Sequence, residues 1–215
     1  MITTLVDNLL TKITPDELTI YSKYWNNLRP QTLNEVFQRW MFSYLSVHTT
    51  WQANVRSFLM LKDLTWVDDK SLLEKLIVDS RVGLTRVRTE GIWKFYADFW
   101  GNPNSWLKQG EEDWTTCRDR FAARCFGLGL TKTSFSCEMI YPLECEVVCL
   151  DAHILKLFEY PKSKGAPHYK QYRLMEEHWS NKCKELNIPS PIARNIVWDK
   201  LLNQKTMDYW SHVFH

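Results

Sequence analysis

Residues 126–158, FGLGLTKTSFSCEMIYPLECEVVCLDAHILKLF, decide the fold. Gly127-Leu128-Gly129 is a tight glycine turn between two helix-length segments, Asp113–Cys125 before it and Thr131–Tyr141 after it, and Pro142 ends the second. Such a turn leaves the first amides of the second helix without intrahelical acceptors, at the positive end of the helix dipole, and so suits a phosphate. Val147-Val148 is a β-branched pair and the single hint of strand in the chain. Leu150-Asp151-Ala152-His153 then opens another apolar-periodic segment, Ala152–Tyr160. Asp151, twenty-four residues after Gly127, falls where an N-cap belongs, with its carboxylate at a helix start.

Outward from this stretch the period is helical. Thr14-Pro15-Asp16-Glu17 combines an N-cap Thr, Pro at the first helical position and Glu at the third. A second start at Thr32 opens a run too long for one ordinary helix, and a break near Val47–Thr50 predicts helices over about 33–46 and 51–62. Asp69 and Ser71 precede the short helix LLEKLIVDSR. Thr85–Phe99 reads as another, ended by Gly101-Asn102-Pro103. Pro161–Pro167 is a basic loop, and His168–Leu186 and Pro191–Leu202 are two final helices. The expected fold class is all-α, with nine or ten short helices in one two-lobed domain spanning 1–215 and a hairpin unit at about 113–160.

The 215 residues carry 45% hydrophobic and 24% charged side chains, the balance of an ordinary globular protein. A net charge of +2 is compatible with a nucleic-acid partner without demanding one. Most of the eleven Trp belong in a core, because burying an indole removes a large apolar area from water. The six Cys (117, 125, 137, 145, 149 and 183) include no CxxC and no zinc-finger spacing with His, so they read as buried reduced thiols, and neither a metal nor a cofactor is expected. No segment reaches about 18 uncharged apolar residues, and the N-terminus lacks a basic n-region. A soluble, intracellular monomer with no membrane partner is the expectation.

In the order of its elements the chain resembles the helix-hairpin-helix DNA glycosylases. In that family a GxG hairpin grips DNA, and an Asp in a V/L-D-x-H motif faces the flipped base. Ser46-Val47-His48-Thr49-Thr50-Trp51 resembles the family's S-x-Q-T-S-like motif, with His48 where a Gln often stands. Gly83 to Ile92 resembles its G-x-x-x-x-K-A-x-x-I segment. The resemblance implies DNA as partner, hairpin contacts from Gly127, Leu128, Gly129, Thr131, Lys132 and Thr133, Asp151 as catalytic carboxylate, and His48, Trp51 and His153 around the base. Bifunctional members place a Schiff-base Lys two positions after the second Gly. Here that position is Thr131, and Lys132 falls one further on, about 100° around the helix. The hairpin thus resembles the monofunctional members, with Lys132 a nucleophile only if the hairpin bulges by one residue and otherwise a phosphate- or solvent-facing cation. Many endonuclease III-like relatives carry a four-Cys iron–sulfur loop beyond the Asp; only Cys183 lies there, so that cluster cannot form.

A second resemblance is to phage amino acid:DNA transferases, also called glutamyl/putrescinyl thymine pyrophosphorylases. It is carried by the GLGL-x-K hairpin, the S-V-H-T-x-W motif, and Trp198-Asp199 with Asp208-Tyr209-Trp210-Ser211. These enzymes displace pyrophosphate from an activated 5-methylene with an amine. A phage-encoded chain of this kind would work in the host cytoplasm or at the nucleoid. In a glycosylase Asp151 would stabilise positive charge on the sugar or orient a water; in a transferase it would deprotonate the amine. As a non-catalytic DNA-binding module, the chain would use Asp151 only as an N-cap. His48, His153 and Trp51 each have a structural alternative, in local hydrogen bonding or core packing. Arg81, Arg86, Arg88 and Lys94 form one basic stretch and Lys162 with Lys164 another, either solvated faces or phosphate contacts.

Overall fold

The computed structural model describes residues 4–203 and 207–214, and among them every regular element is helical. The α-helices run α1 Thr4–Leu10, α2 Pro15–Asn27, α3 Leu33–Leu45, α4 Trp51–Leu61, α5 Lys70–Asp79, α6 Thr85–Gly101, α7 Trp114–Arg124, α8 Leu130–Ile140, α9 Ala152–Leu157, α10 Tyr169–Glu185, α11 Ser190–Leu202 and α12 Met207–Phe214. Two short 3-10 turns, Pro103–Trp106 and Lys162–Lys164, complete the list. No described helix is long and apolar enough to cross a membrane.

The helix starts follow from local chemistry. Thr14 and Thr32 each close a reciprocal capping box, with Glu17 and Glu35 respectively. Asp69 accepts from the amides of Ser71 and Leu72, and Asp113 from those of Thr115 and Thr116.

Three expectations are corrected. α1 and α12 bring the described helices to twelve; α1 is held by tertiary burial of Val6 and Leu10. α9 stops at Leu157 instead of Tyr160, because Glu159 turns into the left-handed region (φ 53°) and the Tyr160 amide bonds back to Leu155 O at 3.1 Å. Val147-Val148 forms no strand: the segment is extended, but side chains take the bonds a neighbouring strand would have supplied. Elsewhere the boundaries agree within two residues.

The chain divides into two compact units. One comprises Pro30–Ser136 with the stretch from Val213. Its core is aromatic: Trp40 stands edge-on to Trp106 (5.2 Å) and Phe121 (5.3 Å), Trp106 stacks on Phe121, and Phe37 stacks on Phe95. Phe214 of α12 meets Phe42 and Phe58 edge-on and lies 3.5 Å from the Arg39 guanidinium carbon. Each such ring contributes about 1.5–3 kcal/mol by burial and about 0.5–1.5 kcal/mol more through ring geometry. The other unit comprises the chain through Arg29 and Cys137–His212. It buries Val6, Trp25, Ile154, Tyr172, Trp179, Ile192 and Val197, and Trp25 packs on Trp210 at 5.4 Å. All six cysteines are buried, none in a disulfide.

Candidate active site

The hairpin lies in the first unit. Gly127 has φ 82°, and a Cβ there would sit 3.1 Å from Val87 Cγ1, so both backbone and space call for glycine. Gly129 is different: a Cβ there would meet nothing within 4 Å. Leu128 anchors the turn in the core. Leu130 opens α8, so its amide lacks an intrahelical acceptor, while the amides of Lys132 and Thr133 both donate to Gly129 O at 3.1 Å. Thr133 is buried, and its hydroxyl also donates to Gly129 O. Thr131 and Lys132 are half-buried, with Lys132 Nζ 5.5 Å from the centre of the Phe135 ring. Beneath the turn α6 approaches closely at Gly91, where a Cβ would stand 2.8 Å from Tyr44 Cε1 and 2.9 Å from Phe126 O.

Sequence reasoning missed an apolar patch beside the hairpin: Leu84, Val87 and Phe126 are all exposed and share a small cleft with Gly127. It also misread Arg88. Arg81, Arg86 and Lys94 are exposed, but Arg88 is buried, donating to the carbonyls of Val82, Gly83, Leu45 and Val47. One guanidinium thereby ties the loop before α6 to the segment after α3. Its burial lowers its pKa to about 10.

Asp151 lies in the second unit, as N-cap of α9. Its Oδ1 accepts from the amides of His153 (2.9 Å) and Ile154 (3.0 Å), and its Oδ2 accepts from Trp198 Nε1 of α11 at 3.1 Å. The His153 ring stands edge-on to Trp198, 6.1 Å between centres. Asp151, His153 and Trp198 therefore form one cluster, which Trp198, marked in the sequence only as part of the Trp198-Asp199 pair, joins through its indole donor.

The segment leading to Asp151 is fixed by side chains from two helices, α8 and α10. Val148 N donates to Glu176 Oε1 of α10 (3.3 Å), Cys149 N to Glu138 Oε1 of α8 (2.8 Å), and Leu150 N to Tyr172 Oη (3.3 Å), which itself donates to Val148 O (2.7 Å). Glu138 Oε2 accepts from Arg194 Nε of α11 at 3.0 Å, and both residues are buried. Burial pushes the Glu138 carboxyl up to about 7 against the opposing pull of Arg194, with the negative charge of Asp151 adding to the rise. Burial is the largest influence on Arg194 and disfavours its charge, but Glu138, Cys149 and Asp151 together more than offset this, so its pKa lies above the ordinary value.

Of the remaining expected residues, His48 is exposed with φ 47°, and Trp51 is half-buried against Phe42 at 5.6 Å, both in the Pro30–Ser136 unit. Trp198 and Asp199 lie on α11; the side chains of Asp208 and Tyr209 lie outside the described residues. A groove of about 280 Å³ between Leu143–Glu146 and the α10–α11 turn includes none of the expected site residues. Among the described residues no three His, Cys, Asp or Glu side chains gather as a metal site.

The twelve α-helices of the described residues, with a glycine hairpin opening α8, have the all-helical fold of the helix-hairpin-helix DNA glycosylases. Solved structures with this fold include the 8-oxoguanine DNA glycosylase of Thermotoga maritima (TM-score 0.72, 15% identity, 92% of this chain and 97% of that one). They include also the 8-oxoguanine DNA glycosylase of Methanocaldococcus jannaschii (TM-score 0.73, 16% identity, 93% of this chain and 92% of that one). A further structure is the M. jannaschii 8-oxoguanine glycosylase/lyase in complex with a 15mer DNA containing 8-oxoguanine (TM-score 0.73, 17% identity, 93% and 96%). Neither a family model nor a curated protein matches the sequence.

Proposed function

We propose that this chain is a monofunctional DNA N-glycosylase acting on a damaged or modified base, with Asp151 as its catalytic carboxylate. The observation that carries the reading is the state of Asp151: a half-buried carboxylate that accepts three N–H hydrogen bonds, on a fold shared with 8-oxoguanine DNA glycosylases. Such a group complements positive charge. As the N-glycosidic bond breaks, its electron pair leaves with the base and the sugar becomes oxocarbenium-like. Asp151 stabilises that cation until water adds at the anomeric carbon, and the proton this water gives up ends on the released base. The base must first leave the stack, at a cost of a few kcal/mol. In this reading the hairpin of Gly127, Leu128, Gly129, Thr131, Lys132 and Thr133 holds the flanking phosphates through first-turn amides and the Lys132 charge. Its register, with Thr131 two positions after Gly129, supports base release without strand cleavage. His153, beside Trp198, lines the base pocket, with His48 and Trp51 assigned there on the family pattern.

The test is mass spectrometry of free bases and nucleosides after incubation with duplexes carrying 8-oxoguanine and a panel of other damaged and hypermodified bases. Released base, lost in Asp151→Asn, with no borohydride-trapped adduct, is the expected result. A trapped adduct would move the chemistry to Lys132. A heavier nucleoside without base loss would make the protein a transferase, and no change on any duplex would leave it a DNA-binding module.

A further inference from the structure

A carboxylate offers about four lone-pair sites. At Asp151 three of them face N–H groups: two on Oδ1, from the amides that open α9, and one on Oδ2, from the Trp198 indole. The amides commit Oδ1 to the helix start, so chemistry at this residue falls to Oδ2. There one lone pair stays open, and its direction is set by the bond that holds the other. Trp198 is a stiff support for that bond, since it rises from α11 and its ring packs edge-on against His153.

We infer that Trp198 is a positioning residue, whose indole N–H aims the open lone pair of Asp151 and so favours the carboxylate's use as a charge partner over its use as a base. The inference rests on the reading of Asp151 as the catalytic carboxylate and adds to it the residue that selects between its two chemistries. Hydrogen bonds to an ionised acceptor are roughly twice as strong as those to a neutral one. Taking up a proton would therefore weaken the indole bond, whereas standing opposite a developing cation leaves it intact. A preorganised anion needs no reorientation as charge develops on the sugar, and this is where electrostatic catalysis gains most.

Binding to two abasic duplexes tests this without knowledge of the target base. One duplex carries a cationic pyrrolidine in place of a nucleotide, the other a neutral tetrahydrofuran. The ratio of their Kd values reads how well the site favours positive charge at the sugar. The wild type should prefer the cation, and Asp151→Asn should lose that preference. Trp198→Phe should lower it about tenfold, the order set by losing one hydrogen bond to a charged group, while affinity for the tetrahydrofuran duplex stays within about twofold. Replacing Trp198 by its benzothiophene isostere keeps the ring and removes only the N–H, and should act as Phe does. An undiminished preference in both variants overturns the role of Trp198 while leaving that of Asp151 standing. Equal loss of affinity for both duplexes reduces Trp198 to packing and also overturns it. A wild type without preference sinks the reading of Asp151 itself, and the role of Trp198 with it.

Discussion

Tyr172→Phe removes one oxygen from the protein and leaves every ring atom in place. That oxygen donates to Val148 O at 2.7 Å and accepts from Leu150 N at 3.3 Å, on a side chain 1% exposed. Water has no easy way to take its place. Two net hydrogen bonds contribute about 1–3 kcal/mol together, and withdrawing a partner from a buried carbonyl adds about 1 kcal/mol or more, so the expected loss is about 2–3 kcal/mol. For a chain of this size that corresponds to a fall in Tm of roughly 5–10 °C. Urea denaturation followed by circular dichroism gives the free energy, and hydrogen exchange gives the site, because the Leu150 amide should exchange faster than amides elsewhere in the core. The single-turnover rate of base release should fall with it while duplex affinity holds, since the bonds lost fix the approach to Asp151. A loss under about 0.5 kcal/mol with unchanged Leu150 exchange would refute the idea that this hydroxyl stands in for a neighbouring strand.

Two further outcomes follow from the same geometry. Gly91→Ala must push aside Tyr44 and the Phe126 carbonyl, so it should cost about 1–3 kcal/mol in thermal denaturation and weaken duplex binding; Gly129→Ala enters open space and should stay within about 0.5 kcal/mol of wild type. Glu138 should give the stability profile an unusual slope. Its folded pKa of about 7 lies above the ordinary 4.5, so the folded chain binds a proton that the unfolded chain lacks between those values, and stability contributed by this group rises as pH falls from about 7 to 4.5. Glu138→Gln should flatten that interval in urea midpoints measured across pH, while the acid-side loss from capping carboxylates with depressed pKa values, Asp69 and Asp113, remains. An unchanged profile would show that Glu138 stays ionised throughout.

What the sequence made legible is what depends on neighbours three or four residues away. Thr14, Thr32, Asp69 and Asp151 cap helices at the starts expected, and Asp113, read as the first residue of its helix, caps it instead, because a cap needs only its own oxygen and the next amides. The glycine hairpin was legible for the same reason at Gly127, though the second glycine answers no steric demand. Illegible were the residues whose partners come from distant helices. Arg88 sits in a run of cations that otherwise face solvent, and nothing in the run marks it as the one turned inward onto four carbonyls. Glu138, Glu176 and Tyr172 are ordinary helix residues until the chain folds them against 147–150. Val147-Val148 misled because strand preference reports a fit to surroundings, and these surroundings are side chains of helices.

The backbone of residues 147–150 has a consequence for the health of the chain in a crowded solution. Val147-Val148-Cys149-Leu150 is an apolar, uncharged, extended run, the kind of stretch that adds itself to the edge of another chain's sheet. Here Glu176, Glu138 and Tyr172 occupy the amides through which such growth would begin. The acids and the phenol that hold Asp151 in place thus also act as a cap against self-association, and a variant that loses them exposes, near its own catalytic candidate, a template for aggregation.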